Sequence, residues 1–375
     1  MIGHSFSRTD RSYLSTWWWT VDRWLFTSIL LLVITGLFLS FSASPGVAHK
    51  LNLDSFFFVK RHIFFMVPAL FCLVGTAILP PKLLRFLCWL LFLGILVCLA
   101  ITPFWGMEAK GAKRWLNVFG FSLQASEFMK PVFAVIAAWL FAQREGDGRP
   151  TPTDISVVLY VLTIGLIILQ PDFGMVFVIS CVWFFQFYLA GLSLFWVYLM
   201  AGLGMVGSTA VYFIFPHVAS RIDRFLNPKT GDQYQITQSL EAFRQGGLFG
   251  KGPGEGVVKR HLPDAHADFV FSVAGEEFGF FFCVFILFLF LFITGRALWL
   301  ARKENNFFLR LAISGIAVQF ALQAMVNMGS ALHLIPTKGM TLPFLSYGGS
   351  SIIATAFGMG MVLSFTKRRL DDKNL

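Results

Sequence analysis

The stretch "LPDAHADFVFSVAGEEFGFFF", residues 262–282, decides the fold of this chain. It joins a loop that carries two aspartates and a histidine to an apolar run from 269 to 295, and two glutamates lie inside that run. Such a run is long enough to cross roughly 30 Å of hydrocarbon as a helix. Ionised groups are costly in lipid, so we expect these to face protein or water. The stretch predicts a membrane-spanning helix with a polar site at one end.

Apolar runs of similar length recur along the chain. Of its 375 residues, 56% are hydrophobic and only 13% are charged, whereas about a quarter are charged in soluble proteins. We therefore predict an all-α polytopic membrane protein with about ten transmembrane helices and one long extracytoplasmic loop bearing short amphipathic helices. All five cysteines lie within apolar runs, which indicates core residues and neither disulfides nor metal ligands. The runs fall at 24–43, 56–79, 83–104, 126–143, 155–170, 173–190, 194–215, 269–295, 308–332 and 343–366.

The charge distribution predicts the orientation. We expect one transmembrane domain over residues 1–375, with a cytoplasmic head at 1–23, a large extracytoplasmic loop at 216–267 and a cytoplasmic tail at 367–375. With both termini on one side, 15 Lys and Arg fall on that side, against 8 on the short connectors of the other. Long loops carry little weight in the positive-inside rule. Both termini are therefore predicted in the cytoplasm.

The long loop carries its own structural signals. In "QYQITQSLEAFRQGG", residues 233–247, Ile236, Leu240 and Phe243 recur at helical spacing, which predicts a short amphipathic helix at the membrane surface. The glycines of "GGLFGKGPGEG" that follow do not have the spacing of a phosphate-binding P-loop. They favour a flexible segment that folds back over a membrane cavity.

The opening stretch carries the first candidate site. Pro263 precedes the predicted helix, and helical spacing would put Asp268 in its first turn, on one face with Ser272, Gly275, Glu276 and, further on, a glycine at 279. A polar face with acids inside a spanning helix is expected to point into protein or a water-filled cavity. The alternative is that Asp268 only caps the helix.

A second candidate is "KGAKRWLNVFGFSLQASEFMKP", residues 110–131. Arg114 precedes an interfacial tryptophan, and Ser126 is expected to cap a helix whose first turn pairs Glu127 with Lys130. Ionisable pairs at the head of a spanning helix often mark a substrate path, although this pair could be only structural. In "LQPDFG", residues 169–174, the simplest role is a tight turn between two spans.

A third candidate opens the last span, "HLIPTKGMTLPFLSYGGSS", residues 333–351. Its prolines and glycines interrupt the helix, and unwound backbone is tolerated at membrane depth only where it is buried or lines a cavity. Free N–H groups with a lysine and several hydroxyls could hold a phosphate. A packing face of glycine and serine between helices is the alternative. The glycines that interrupt this segment include Gly348 and Gly349, and its polar side chains are those of Lys338, Ser346, Tyr347, Ser350 and Ser351.

Together with "GLFLSFSASP" at 36–45 and "RFLNPKTGDQYQITQSL" at 224–240, these stretches resemble the SEDS family (shape, elongation, division and sporulation), and the "PTKGMTLPFLSYGGSS" segment resembles its division branch. The resemblance covers nearly the whole chain. Two positions depart from the family pattern: Ala267 stands where a threonine is common and Ala125 where a proline is common. The first leaves open any role of that threonine hydroxyl, and the second changes how the fourth span begins.

The resemblance implies a peptidoglycan glycosyltransferase that polymerises lipid II, the undecaprenyl-diphosphate-linked disaccharide-pentapeptide, at the outer face of the bacterial cytoplasmic membrane during septal wall synthesis. The aspartate of the family's central motif falls on Asp268, the expected general base. The implied partners are a class B penicillin-binding protein (the septal transpeptidase) and other divisome proteins, with no nucleic acid.

Because the leaving group is a diphosphate, the reaction needs cations or a divalent metal such as Mg²⁺ or Mn²⁺ more than a general acid. No metal site is identified from the sequence. The residues expected to bind or orient substrate are Arg114, Glu127, Lys130, Lys338, His266 and the segment Ser346, Tyr347, Gly348, Gly349 and Ser350. Within this set, Glu127 is expected to position Lys130.

Two other functions fit the same residues. A carrier that moves lipid II between leaflets would also need a polar cavity bounded by broken helices. The ionisable residues cluster at the outer ends of the spans, whereas a carrier also needs a route to the inner face. A scaffold that only recruits other division proteins is the third hypothesis.

Overall fold

The computed structural model describes residues 13–109, 112–118, 120–143, 151–191, 234–336 and 339–367, with scattered positions between 195 and 223. Eleven α-helices fall within these ranges. They are α1 (Tyr13–Thr20), α2 (Arg23–Lys50), α3 (Phe57–Ile78), α4 (Pro81–Trp105), α5 (Ala125–Ala142), α6 (Pro152–Ile168), α7 (Phe173–Leu189), α8 (Tyr234–Gly246), α9 (Val270–Lys303), α10 (Phe307–Ala331) and α11 (Gly349–Phe365).

The apolar runs become helices much as predicted. Six helices are long and apolar enough to cross a membrane, namely α2, α3, α4, α5, α9 and α10, and three shorter apolar helices are α6, α7 and α11. The predicted run at 194–215 lies largely outside the described residues. The last run begins as a helix only at Gly349, because residues 343–348 are turns and extended backbone.

Polar residues at the connectors set several helix starts. The Asp22 carboxylate accepts from the Leu25 N–H at 2.9 Å, and Thr151 and Asp154 form a reciprocal capping box. Asn306 caps α10 through the Leu309 N–H at 3.2 Å. These caps satisfy N–H groups that a helix leaves unbonded at its first turn.

The connector between α4 and α5 folds into a small sheet that the sequence analysis did not predict. Its strands are β1 (Met107–Ala109), β2 (Ala112–Val118) and β3 (Phe121–Leu123), paired antiparallel in that order. The outer strands have three residues each, too short for an alternating pattern to be recognised. The sheet places Arg114 on its central strand, at the head of α5.

Both described ends of the chain lie at one end of the bundle. Asp22, just before α2, pairs with Arg296 near the end of α9 at 2.6 Å. The Ser364 hydroxyl donates to the Leu79 carbonyl at 2.5 Å, where α3 ends. The start of α9 is therefore at the opposite end, which we call the site end.

The predicted amphipathic helix exists as α8, but its buried face differs from the expected one. Leu240 is 41% exposed, and the residues buried on α8 are the small Ser239, Ala242 and Gly246. Ser239 Oγ lies 2.6 Å from Ser272 Oγ on α9. A Cβ on Gly246 would collide with the carbonyl of the facing α9 turn, so small residues allow the two backbones to approach.

Helix α9 is broken where the loop meets it. Gly279 has φ 77° and ψ −171°, a conformation that favours glycine. The Lys251 and Gly252 N–H groups donate to the carbonyls of Glu276 and Glu277, both at 3.0 Å. The Phe280 N–H in turn donates to a loop carbonyl at 2.9 Å. The loop therefore supplies hydrogen-bond partners that the broken helix lacks.

Candidate functional site

Asp268 lies in a turn two residues before α9 and not in its first helical turn, so the first-turn prediction was wrong. Its N–H donates to the Asp264 carbonyl at 3.0 Å, and its own carbonyl accepts from Asn327 Nδ2 at 3.0 Å. These bonds fix the backbone of Asp268, and the half-buried side chain extends from a fixed point.

The Asp268 carboxylate lies beside an exposed loop. A Cβ on Gly339, which is exposed, would be 3.2 Å from Asp268 Oδ2. Lys338, the neighbour of Gly339 in the chain, lies outside the described residues. The structure thus brings Asp268 to the third candidate stretch, as a site shared between the two requires.

The predicted polar face of α9 does not face Asp268 and Gly339 but packs against α8 and the long loop. Ser272 contacts Ser239, and Gly275 packs against the Phe243 ring of α8. Glu276 accepts from the N–H groups of residues 257–259 at 2.7, 2.7 and 2.8 Å. This face is therefore a packing surface for the long loop and not the wall of a water-filled cavity.

Glu277 belongs to a separate buried ion pair. Its carboxylate binds the Lys259 ammonium and the Ser42 hydroxyl, and Lys259 Nζ also donates to the Ser42 carbonyl at 2.9 Å. Lys259 and Glu277 side chains are 5% and 0% exposed. The two glutamates of the opening stretch thus bind polar neighbours inside the bundle, and neither faces the loop at Gly339.

The segment before α11 is tied to the turn of Asp268. The Ser346 hydroxyl donates to the Ala267 carbonyl at 2.5 Å and accepts from the Leu342 N–H at 2.8 Å. The Tyr347 N–H donates to the His266 carbonyl at 2.9 Å. Ser346 is buried, so its hydroxyl holds the two segments together.

An aromatic cluster borders this junction. The His266 ring lies 4.1 Å from the Phe58 ring and 5.5 Å from the Tyr347 ring, measured between centroids. Arg61, an exposed residue of α3, lies one helical turn from Phe58, whose ring is 5.6 Å from the Tyr347 ring. His266 is therefore half-buried among rings.

Glu127 and Lys130 form the predicted pair, and both are buried. Lys130 Nζ lies 2.8 Å from Glu127 Oε2, with side chains 2% and 5% exposed. The ammonium also donates to Gln323 Oε1 at 2.6 Å. Gln323 Nε2 donates to the Thr341 carbonyl at 3.1 Å and lies 3.3 Å from Ser351 Oγ. Lys130 was expected to hold a diphosphate directly, but here its ammonium is enclosed and connected to the third stretch through Gln323.

Ser126 does not cap α5, contrary to the prediction. The cap position is Gln124, whose N–H donates to Ser350 Oγ at 3.1 Å. The Gln124 side-chain amide lies 3.3 Å from Ser126 Oγ and 3.2 Å from Asp172 Oδ2. The hydroxyl at 126 is therefore inside the first turn, and Ser350 replaces it as the partner of the helix start.

Arg114 connects the small sheet to the α6–α7 turn. Its Nε and Nη2 donate to the Gln170 and Pro171 carbonyls at 3.2 and 2.5 Å. Asp172 caps α7 and is buried. Burial raises the pKa of Asp172 above the ordinary 3.8, and the nearby Arg114 guanidinium acts in the opposite direction. The guanidinium is thus engaged with protein groups.

The glycines at the start of α11 allow close packing. Gly348 is extended at φ 180°, and a Cβ on Gly349 would lie 2.9 Å from the Phe65 ring. Ser350 Oγ also lies 3.3 Å from the Ser122 carbonyl of β3. The first turn of α11 begins at this junction, and its N–H groups have no partner within the helix.

Sequence reasoning missed three residues at the site end. Gln323 and Asn327 lie one turn apart on α10, and Asn327 Nδ2 bonds both Asp268 and the Met340 carbonyl, the latter at 2.7 Å. Amide side chains at i and i+4 in an apolar helix were a usable signal. Arg61 is the third, and the sequence around it gave no specific signal. Within the described ranges, no group of three or more His, Cys, Asp or Glu is placed to hold a metal.

The geometry first defines a class: a polytopic helical membrane protein in which the turn of Asp268 and an interrupted helix meet at one end of the bundle. The profile of the FtsW/RodA/SpoVE family, described as cell cycle proteins, matches residues 22–370, and the chain belongs to this family. This confirms the resemblance drawn from the motifs.

Individual relatives and solved structures agree with this family assignment. The chain is 43% identical over 368 residues to the probable peptidoglycan glycosyltransferase FtsW of Caulobacter vibrioides (strain NA1000 / CB15N), covering 98% of this chain and 94% of that protein.

A chain from a structure described as "Structural coordination of polymerization and crosslinking by a peptidoglycan synthase complex" superposes with a TM-score of 0.76 at 28% identity, covering 92% of this chain and 97% of that one. The Thermus thermophilus rod shape determining protein RodA gives 0.70 at 28% identity, covering 93% and 97%. The polytopic membrane fold is therefore that of this family.

Proposed function

We propose that this protein is a peptidoglycan glycosyltransferase that polymerises lipid II, with Asp268 as the general base. Relatives that match this chain over nearly its whole length are named probable peptidoglycan glycosyltransferases, which supports the reaction class. The proposed role of Asp268 rests on its position. Its backbone is fixed by hydrogen bonds, and its carboxylate lies beside the exposed Gly339.

One carboxylate suffices for this reaction. The sugar hydroxyl of the acceptor is a weak nucleophile until a base within hydrogen-bond reach takes its proton. The leaving diphosphate is already a stable anion, so it needs positive charge and N–H donors more than a general acid. Asp268 receives the proton as the new glycosidic bond forms and the bond to the diphosphate breaks.

Four other acids near the site end are buried and engaged with protein groups. Asp172 caps a helix, Glu127 pairs with Lys130, and Glu276 and Glu277 bind the long loop. A buried acid with its acceptor positions occupied is poorly placed to remove a proton from a substrate. Asp268 is only half-buried and lies beside the exposed Gly339, which supports it over these four.

The diphosphate is proposed to bind along the segment that precedes α11. The first-turn N–H groups of α11 are suitable donors, and Lys338 is retained as the cation that the family resemblance implies. Arg61 adds an exposed cation one helical turn from Phe58, whose ring lies 5.6 Å from the Tyr347 ring. Arg114 and Lys130 are proposed to position the surrounding segments, because their charged groups bond to protein atoms.

A divalent ion in this proposal is shared with the substrate. Mg²⁺ typically binds through one or two carboxylates together with substrate phosphates. Asp268 is the carboxylate that lies next to the proposed diphosphate segment, and the ion would add positive charge at the leaving group. Activity that depends on added Mg²⁺ or Mn²⁺ and is lost with a chelator would support this part.

The site end is proposed to face the outside of the cytoplasmic membrane at the division septum, with both termini in the cytoplasm. The predominance of basic residues on the opposite side supports this orientation. The proposed partner is a class B penicillin-binding protein among other divisome proteins. The likeness to a chain described within a peptidoglycan synthase complex supports a partner of that kind.

The central test uses purified protein with labelled lipid II, with and without the partner transpeptidase. We expect Asp268→Asn to lower polymer formation by at least about 100-fold, the lower end of the contribution of general base catalysis. Asp264→Asn is the matched control, because it removes the same charge four positions away. Asp264 has φ 51°, a conformation that asparagine tolerates.

Polymer from the parent and from Asp264→Asn, with none from a folded Asp268→Asn, supports the proposal. Unchanged polymer from Asp268→Asn removes this residue from the mechanism. If the parent makes no polymer under any condition but moves lipid II between the leaflets of proteoliposomes, the transporter hypothesis replaces this one.

A further inference from the structure

Asn327 of α10 links the turn of Asp268 to the segment before α11. Its side chain is 1% exposed, and its Nδ2 donates to the Asp268 carbonyl at 3.0 Å and to the Met340 carbonyl at 2.7 Å. Both partners are acceptors, so only the nitrogen of the amide can face them. Asn327 Oδ1 is buried, and no described residue bonds to it. The two carbonyls therefore determine the orientation of the amide.

The bond to Asp268 completes a series along its turn. The carbonyls at 266 and 267 accept from the Tyr347 N–H and the Ser346 hydroxyl, at 2.9 and 2.5 Å. The carbonyl of Asp268 comes next, and it accepts from α10 instead. Asn327 is thus the contact that fixes the end of the turn from which the carboxylate extends.

Gln323, one turn earlier on α10, holds the next carbonyl of the other segment. Its Nε2 donates to the Thr341 carbonyl at 3.1 Å, and its Oε1 accepts from Lys130 at 2.6 Å. Helix α10 therefore binds the carbonyls at 340 and 341 through two separate amides. Without the Asn327 amide, the turn of Asp268 loses its tie to α10, whereas Gln323 still holds the segment that is proposed to bind the diphosphate.

We propose that Asn327 is a positioning residue that sets the distance between the Asp268 carboxylate and the loop at Gly339. A Cβ on Gly339, the residue before Met340, would lie 3.2 Å from Asp268 Oδ2. By holding one carbonyl on each side of this gap, the amide fixes the base relative to the segment that receives the leaving group. The inference rests on the proposed function, since it assigns a second residue to the same site.

The first test is steady-state polymerisation of labelled lipid II by Asn327→Leu, which keeps a branched side chain and removes both N–H donors. We expect kcat to fall by at least about tenfold, because a misplacement of about 1 Å can cost about 100-fold. The KM for lipid II should stay within about twofold, since a loss confined to the transition state lowers kcat and kcat/KM together.

The matched control is Gln186→Met on α7. Gln186 is buried, its Nε2 donates to the Ala134 and Leu311 carbonyls at 2.8 and 3.1 Å, and its Oε1 has no partner among the described residues. The same type of contact thus joins helices away from the candidate site. We expect this variant to lose stability as Asn327→Leu does but to keep at least about half of the parental kcat, because distant sites act independently.

A double variant shows whether Asn327 acts through the base. In an Asp268→Asn background, Asn327→Leu should lower the residual rate by less than about twofold, because residues that act as a unit are not additive. A side chain that only supports the bundle would lower the residual rate as much as it lowers the parental rate.

Cross-linking measures the distance without relying on activity. A Cβ on Gly339 would lie 3.8 Å from Asp268 Cγ, and a disulfide joins Cβ atoms about 3.5–4.5 Å apart. We expect the protein with Asp268→Cys and Gly339→Cys to form this disulfide under mild oxidation, as detected by peptide mapping. Adding Asn327→Leu should slow its formation severalfold, because one amide no longer holds the two segments.

Four results would overturn the proposal: a parental kcat in folded Asn327→Leu; an equal loss of kcat in Gln186→Met; an equal loss in the Asp268→Asn background; or an unchanged rate of cross-linking. If Asp268→Asn itself polymerises at the parental rate, the proposed function fails, and cross-linking still decides whether Asn327 sets this distance. Asn327→Ala, which leaves space for water at both carbonyls, takes the place of the leucine variant if that variant does not fold.

Discussion

Asp268 and Glu277 stand nine positions apart in one stretch of sequence, yet their surroundings differ completely. Asp268 is half-buried in a turn beside the exposed Gly339. Glu277 is fully buried against Lys259 and Ser42. The difference lies in which element each acid meets, because one faces the interrupted segment before α11 and the other faces the long loop. Acids at the head of a membrane helix can thus serve chemistry or architecture, and the type of residue does not distinguish them.

The largest effect on stability is expected from breaking the Lys259–Glu277 pair. Glu277→Gln leaves a buried ammonium without its counter-charge, which costs about 3–5 kcal/mol of unfolding free energy. Unfolding of the purified protein in mild detergent would measure it. Asp268→Asn, by contrast, should change stability by less than about 0.5 kcal/mol, the usual range away from buried networks.

The double variant Lys259→Met with Glu277→Met is the control for that pair. Replacing both charges by apolar groups of similar size is often neutral, so we expect most of the lost stability to return. If Glu277→Gln is no less stable than Asp268→Asn, the contrast between the two acids is wrong.

A smaller loss of stability is expected from disturbing the contact between α8 and α9, through which the long loop packs on the bundle. Gly246→Ala places a methyl group against the carbonyl of the facing α9 turn, so backbone must move. We expect a loss of about 1–3 kcal/mol in unfolding free energy, as for other overpacked contacts. Gly295→Ala is the control, because a Cβ there meets no atom within 4 Å. Equal stability of the two variants would show that α8 does not pack on α9 as described.

The smallest effect concerns a third acid, Asp172, which is buried like Glu277 but forms no salt bridge with the described residues; its carboxylate accepts from the Gln124 amide and the Met175 N–H. Its pKa is raised by burial, so the folded state holds the proton more tightly than the unfolded state. Its contribution to stability is therefore complete below pH 3.8 and is lost as pH rises through the folded pKa.

Asp172→Asn should remove that pH dependence. We expect the melting temperature of the parent to fall more than that of the variant as pH rises from about 4 towards 7. The asparagine oxygen can keep the bond from the Met175 N–H, and the Gln124 amide can turn so that its oxygen accepts from the asparagine NH₂, so both contacts at this turn are kept. A parallel fall in both proteins would contradict a raised pKa for Asp172.

The sequence predicted the membrane class, most helices and the meeting of Asp268 with the third stretch, because long apolar runs and interrupted helices are local signals. It did not predict the direction of the α9 polar face, since a helical wheel shows which residues share a face but not what lies opposite. Gln323 and Asn327 were missed for a related reason. Each side-chain amide donates to a backbone carbonyl that is distant in the chain, so no local pattern indicates the contact. The enclosure of Lys130 likewise depends on α10, which no local pattern around α5 reveals.

The break at Gly279 has a mechanical consequence. The segment from Val270 to the break is joined to loop residues 251 and 252 by backbone hydrogen bonds, and Glu276 adds three more to residues 257–259. Any displacement of the helix start must therefore carry this part of the loop along, with the turn of Asp268 at its tip. A force applied to this part of the loop would therefore be transmitted to the turn that carries Asp268.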